Sequence, residues 1–169
     1  MRCAPNLQAI LPADPSLHIR RAVVADAADA CQVLRDSITL LCVADHGNAP
    51  EPLAAWLANK TPENLATWIA DPDNVILVAD ADGVVAAVGG LRVPHYVMLN
   101  YVAPAARFLG VSKAMMAALE EEARALGALS VTLESSLTAA PFYRALGYRD
   151  AGEAGVKHGL PNFPMEKAL

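Results

Sequence analysis

"VAPAARFLGVSKAMMAALEEEARALGA", residues 102–128, reads as the end of an apolar strand, a short turn and a long helix over about 107–126, with Gly127 as its stop. The turn carries Arg107 and Gly110 just where the helix begins. A glycine inside a helix costs roughly 1 kcal/mol against alanine, so something is gained by leaving the backbone bare there. The first four N–H groups of a helix lack internal partners and carry a partial positive charge. Gly110 and the small Ser112 clear side chains from those donors, and Arg107 and Lys113 add full charges in the same turn. The stretch can therefore hold a phosphate at the main chain. Taken alone, Gly110 reads more simply as a turn residue and Arg107 as a solvated side chain. Neither the Walker pattern nor the dinucleotide glycine triplet is present.

The rest of the chain sets the context for that turn. Its 169 residues suit one domain, expected over 18–169 behind a loose leader at 1–17. That leader holds three prolines and a single short apolar run, too broken for a secretory signal. Hydrophobic residues make up 54%, much of it alanine, and no window offers about 20 uncharged apolar residues, which disfavours a membrane span. A cytoplasmic protein is expected. Thirteen basic and eighteen acidic residues give a net charge of −5 without a block of like charges, which disfavours nucleic-acid binding. Cys3, Cys31 and Cys42 form no CxxC, so neither a disulfide framework nor a zinc site is encoded, and no metal is expected. Cys42 is open to two readings, a catalytic thiol or a buried helix cysteine.

"HIRRAVV" (18–24) reads as a first strand, and "ADAADACQVLRDSITLL" as a helix capped by Asp26. "CVADHGNAPE" reads as a loop and "PLAAWLANK" as a short helix. "TPENLATWIAD" has Thr61 as N-cap, Pro62 at the first helical position and Glu63 in the first turn. Trp56, Leu65 and Trp68 are expected to anchor the core. "NVILVADADGVVAAVGGLR" is a hairpin turning at Asp82-Gly83, and "YVMLNYV" (96–102) is the next strand. "LSVTLES" is a strand, "TAAPFYRALG" a short helix closed by Gly147, and "YRDAGEA" and "FPMEKAL" are two final strands. The order implies a mixed α/β fold on a largely antiparallel sheet.

Over roughly 18–169 the sequence resembles the GNAT superfamily of N-acetyltransferases. The resemblance rests on Val102-Ala103-Pro104 followed by Arg107-Phe108-Leu109-Gly110-Val111-Ser112, similar to a V-x-P turn and the [RQ]-x-x-G-x-[GA] loop. Ser112 stands where the family prefers Gly or Ala. A second element, "SSLTAAPFYRALGY", places Ser136 at a family asparagine position, then Ala139, Phe142-Tyr143, Gly147 and Tyr148. The resemblance implies the GNAT fold: a central twisted, mostly antiparallel sheet of about six to seven strands with helices on both faces. It implies acetyl-CoA as co-substrate, its diphosphate on residues 107–113, and acetyl transfer to a small-molecule or peptide amine in a ternary complex. It further implies a thioester carbonyl held by a backbone N–H within Asn100, Tyr101 and Val102, and Tyr143 beside the leaving sulfur. With a phenol near ~10 and a thiol near ~8.5, a hydrogen bond to the departing thiolate is the sounder role than full proton transfer.

No carboxylate lies in "YVMLNYV" to serve as general base; Glu134, Asp45, His46, Glu51, His95 and His158 are candidates by type, and water is another. The acceptor is expected between "CVADHGNAPE" and "GEAGVKHGLPNF". A homodimer is an expectation of the family alone. The competing reading is a catalytically silent module of the same fold that binds acyl-CoA or a partner protein.

Overall fold

The computed structural model describes residues 17–169. Cys3 and the expected leader, but for its last residue, lie outside the described residues. Strand β1 is Leu17–Arg21, shorter than the expected 18–24, because a 3₁₀ turn at Val24–Asp26 leads into helix α1, Ala27–Asp36. Asp26 does not cap α1 as expected. Its backbone is already helical, and its carboxylate instead accepts Val23 N–H at 2.8 Å and both guanidinium nitrogens of Arg20 at 2.8 and 2.9 Å. A bidentate guanidinium is the stronger partner, and it binds the 3₁₀ turn to the sheet.

After α1 the chain widens into a π turn at Ser37–Leu41, and the expected loop beyond it contains a short helix, α2, Val43–His46. Helix α3 is Pro50–Leu57 and α4 is Pro62–Ala70. Thr61 caps α4 as expected, its Oγ1 accepting Asn64 N–H at 3.2 Å. Strands β2, Asn74–Ala81, and β3, Val84–Arg92, form the expected hairpin, and Asp82 and Gly83 both take positive φ in its turn. Strand β4 is Tyr96–Val102, helix α5 is Val111–Ala125, strand β5 is Ser130–Ser135 and helix α6 is Ala140–Ala145. The chain closes with β6, Arg149–Asp150, β7, Gly155–Lys157, and β8, Leu160–Ala168.

These strands form an eight-stranded sheet in the order β1-β2-β3-β4-β5-β8-β6, with β7 paired on β8. The fold is the mixed α/β, mostly antiparallel arrangement expected, with one strand more than the upper count. The extra strand is β7, which forms a hairpin with β8 where no strand is expected, between "YRDAGEA" and "FPMEKAL". "YRDAGEA" contributes only the two residues of β6.

The centre of the sheet is apolar because β2 and β3 are covered on both faces. Every residue of β2 is buried, as the near-continuous apolar run requires. Leu34 and Leu65 from the helices and Val88 and Leu91 from β3 are fully buried, each stabilising by roughly 1.5–3 kcal/mol. Helix α5 lies so close to β3 that a Cβ on Gly89 would sit 2.5 Å from Met115 Sδ. Glycine is needed there for approach, not for flexibility.

One junction positions everything that follows. Strands β4 and β5 are parallel neighbours, yet they pair only at Tyr96–Thr132 and Val97–Leu133. Past Val97 they part, while β4 stays paired to β3 as far as Val102. The register of β3 against β4 slips opposite Met98, so a bulge there turns β4 away from β5. The bulge thus lies two residues before the stretch Asn100 to Val102.

Candidate active site

The gap between β4 and β5 opens into a cleft of about 500 Å³. Its floor is β4, one wall is the turn into α5, another is α6, and the far end is closed by α3 and the β7–β8 hairpin. Ala103 N–H donates to Ala86 C=O at 2.8 Å. The two-residue alternation of a strand then turns the N–H groups of Asn100 and Val102 to the side that β5 has left. The side chain of Asn100 is half-buried: its amide donates to Tyr143 Oη at 3.4 Å, and its buried Oδ1 has no partner. Tyr101, also lining the cleft, accepts from Trp56 Nε1 at 3.4 Å.

The turn before α5 differs from the helix expected from residue 107. Arg107 is extended, Phe108 has φ 64° and Gly110 has φ 78°; the helix begins only at Val111. Gly110 is thus the residue before the helix, in the left-handed region that costs an L side chain roughly 1–2 kcal/mol. The helical ladder starts with Ala114 N–H on Gly110 C=O at 3.0 Å. The amides of Val111, Ser112 and Lys113 find no acceptor among the described residues, and no side chain caps this end. They border the cleft, and Arg107, Phe108 and Lys113 line it too. Leu109 is the exception among the expected loop residues. It packs against the core and borders a separate hollow with Leu17 and Ile19. Phe108 is 88% exposed, with the Arg107 guanidinium 4.4 Å from its ring centre.

Tyr143 projects from α6 into the same cleft, its ring edge-on to Phe142 and Tyr148. Burial is the main cause pushing its phenol up to about 12, against a smaller opposing effect of the Asn100 hydrogen bond. It is a neutral O–H at any physiological pH. Ser136 lines the cleft as well; its Oγ accepts Ala139 N–H at 3.2 Å, which leaves its O–H and one lone pair to offer.

The six candidate bases separate cleanly. Glu51 and His95 lie away from the cleft. His46 is a core histidine, bonded through Nε2 to Ile38 C=O at 3.0 Å and through Nδ1 to Asn48 N–H at 3.0 Å. Asp45 reaches the cleft, but its carboxylate holds the Leu137 amide at 2.6 Å together with the amide and hydroxyl of Thr138, fixing the start of α6. Glu134 pairs with Lys157 Nζ at 2.9 Å at the cleft rim. His158 lines the cleft, its ring stacked on Trp56 at 6.5 Å, and burial followed by the charges of Lys60 and Lys157 lowers its pKa.

Cys42 is buried beside the cleft at the junction of the π turn and α2. Burial pushes its thiol up to about 12, which leaves it protonated and a poor nucleophile. Trp56 and Lys60 are site residues that the sequence reading missed. Trp56 lines the cleft instead of anchoring the core, whereas Leu65 is fully buried and Trp68 packs against the core as expected. Lys60 is only 6% exposed and still borders the cleft. Nothing local distinguishes Trp56, on α3, or Lys60, in the connection from α3 to α4, from an ordinary surface or packing residue; only the packing of α3 and α4 brings them here.

Fold and cleft together define an acyltransferase of the N-acetyltransferase type. Residues 39–169 match the family model of the acetyltransferase (GNAT) domain, and the chain belongs to that family. A GCN5-related N-acetyltransferase from Rhodopseudomonas palustris is 28% identical, with a TM-score of 0.81 over 91% of this chain and 96% of that one. PaiA N-acetyltransferase from Thermoplasma acidophilum, solved in complex with coenzyme A, is 21% identical, with a TM-score of 0.78 over 91% and 99% of the two chains. YncA from Salmonella typhimurium, a putative acetyltransferase solved with its cofactor acetyl-CoA, is 22% identical, with a TM-score of 0.67 over 90% and 94%. The latter two bear on the fold alone. No curated protein matches the sequence.

Proposed function

We propose that the protein moves the acetyl group of acetyl-CoA to an amine by direct attack in a ternary complex. One observation carries this reading: three helix amides without a partner among the described residues, two basic side chains and a buried neutral phenol border a single cleft. The amides of Val111, Ser112 and Lys113 are the donors for the diphosphate, with Arg107 and Lys113 supplying the charge that a molecule of net charge −5 otherwise lacks. Ser112 keeps its N–H and is small enough to leave those donors accessible. The pantetheine arm then runs along the edge of β4 that β5 has vacated, where the N–H groups of Asn100 and Val102 have no partner among the described residues. One of them polarises the thioester carbonyl, a contribution on the order of 3 kcal/mol to the transition state.

As the amine attacks, the C–N bond forms and the C–S bond breaks. The Tyr143 phenol, well above a thiol in pKa, donates a hydrogen bond to the departing thiolate without giving up its proton. The proton that the nitrogen sheds as the amide forms is the one that converts the thiolate to CoA thiol. Asn100 orients it by donating to the phenol oxygen, which leaves the O–H free to point at sulfur. The ammonium form of the acceptor must lose a proton first. Of the six candidates only His158 combines a place in the cleft with a lone pair kept free by a lowered pKa, and it takes that proton directly or through water.

Acetyl-CoA is expected to raise the melting temperature of the protein, and release of CoA thiol is expected when a panel of amines is supplied with it. Stabilisation without turnover on any amine supports the silent-module reading. No stabilisation removes both.

A further inference from the structure

Lys60 is the most deeply buried cation in the described part of the molecule, and no carboxylate pairs with it. Its Nζ donates to Asn59 Oδ1 at 2.6 Å and lies 5.8 Å from the centre of the Trp68 ring. These contacts leave donor capacity on an ammonium that has three protons to offer. A buried charge is costly unless it is paired. The neighbourhood makes the cost larger, since Lys157 approaches from the β7–β8 hairpin near enough to repel it. Two carboxylates line the cleft among the described residues: Glu134 is engaged by Lys157 at 2.9 Å, and Asp45 by the amides of Leu137 and Thr138.

With Glu134 taken by Lys157 and Asp45 by the start of α6, Lys60 is left without an anionic partner among the described residues, at the end of the cleft closed by α3 and the β7–β8 hairpin. The neutral walls here are Trp56 and His158, stacked with their planes 13° apart. Flat rings beside a cation make a pocket for a small planar anion. We infer that the acceptor amine carries a carboxylate, and that Lys60, assisted by Lys157, binds it. The inference rests on the acetyl-transfer reading and adds the class of acceptor to it. A single cation without a direct partner matches a carboxylate better than a phosphate monoester, which brings close to two charges. Burial, then repulsion from Lys157, lowers Lys60 to about 8, the response of a cation awaiting a counterion.

Matched pairs of acceptors test this: ω-amino acids of two to six carbons, each against its own amide, with aminoethyl phosphate as a third arm and saturating acetyl-CoA throughout. Rates are compared per free amine as kcat/KM. A charge-assisted contact in a buried site predicts a preference of about ten- to a hundredfold for the carboxylate of the best chain length. In Lys60→Met the ratio is expected to fall towards one. Should that variant fail to fold, Lys157→Met at the exposed rim serves instead, with an expected fall of about threefold or more, consistent with a partly screened charge. A carboxylate-to-amide ratio near one in the unaltered protein, a ratio unmoved by the substitutions, or a preference for the phosphate overturns the inference while leaving acetyl transfer standing. Failure of every amine to be acetylated overturns both.

Discussion

At the residue scale the site depends on two groups kept neutral by burial. Tyr143 stays protonated, so its use is as a hydrogen-bond donor to sulfur. Replacing it with phenylalanine keeps the ring against Phe142 and Tyr148 and removes only the O–H. Tyr143→Phe is therefore expected to lower kcat by about ten- to a hundredfold with little change in the KM for acetyl-CoA, the mark of an interaction made in the transition state. His158 has its pKa lowered below 6.5, so its basic form is lost only as the pH falls through that lowered value. Initial rates across pH are expected to show an acid limb from this group, and His158→Gln to remove the limb while slowing the neutral-pH reaction. An acid limb unchanged in the variant would assign the proton to water. Neither environment was readable from sequence. The resemblance placed Tyr143, but six residues were equal as bases until packing set Asp45, His46 and Glu134 to other tasks.

At the scale of elements the decisive piece is the turn into α5. The sequence reading put Gly110 inside the helix; the structure puts it just before, in a left-handed conformation. Nothing lies within 4 Å of a Cβ added there, so Gly110→Ala meets strain rather than a clash. It is expected to cost about 1–2 kcal/mol in urea-melt stability, and to weaken acetyl-CoA binding by more than it weakens acceptor binding. Equal loss at both would place the damage in the fold instead of the loop. The long helix, the β2–β3 hairpin and the capped start of α4 were legible because periodicity, a turn dipeptide and a capping residue are local signals. The parting of β4 from β5 was not, since it depends on the Met98 bulge and on partners more than thirty residues away. The β7–β8 hairpin escaped for a similar reason. Its three-residue strand, with Gly155 and the positive-φ His158 and Gly159 about it, carries no alternation to read.

Across the whole molecule, the sheet holds the two ends of the cleft at a fixed spacing, and its first edge is fastened by charge. Arg20 on β1 binds Asp26 and also Asp80 of β2, the latter at 2.8 Å. Its guanidinium is the first cause holding Asp26 below the ordinary carboxylate value of 3.8. A depressed folded-state value gives stability that is present above about 3.8 and lost as the pH falls through the lower, folded value. Asp26→Asn is accordingly expected to destabilise the protein by about 1–3 kcal/mol at pH 7, with the deficit shrinking in acid as the unaltered protein loses the same pair. A deficit constant with pH would assign the effect to packing. Among the described residues no helix is long and apolar enough to cross a membrane. Charge is unevenly useful in this acidic chain: the basic groups that line the cleft, Arg107 and Lys113 at one end and Lys60 and Lys157 at the other, sit where anionic substrates are proposed to bind.

Titrating ¹⁵N-labelled protein with coenzyme A and following the backbone amides tests the coenzyme site most directly. The largest shifts are expected at Val111, Ser112 and Lys113, saturating together with those of Asn100 and Val102. Saturable shifts confined to other parts of the molecule, with the amides at the start of α5 unmoved, would contradict it.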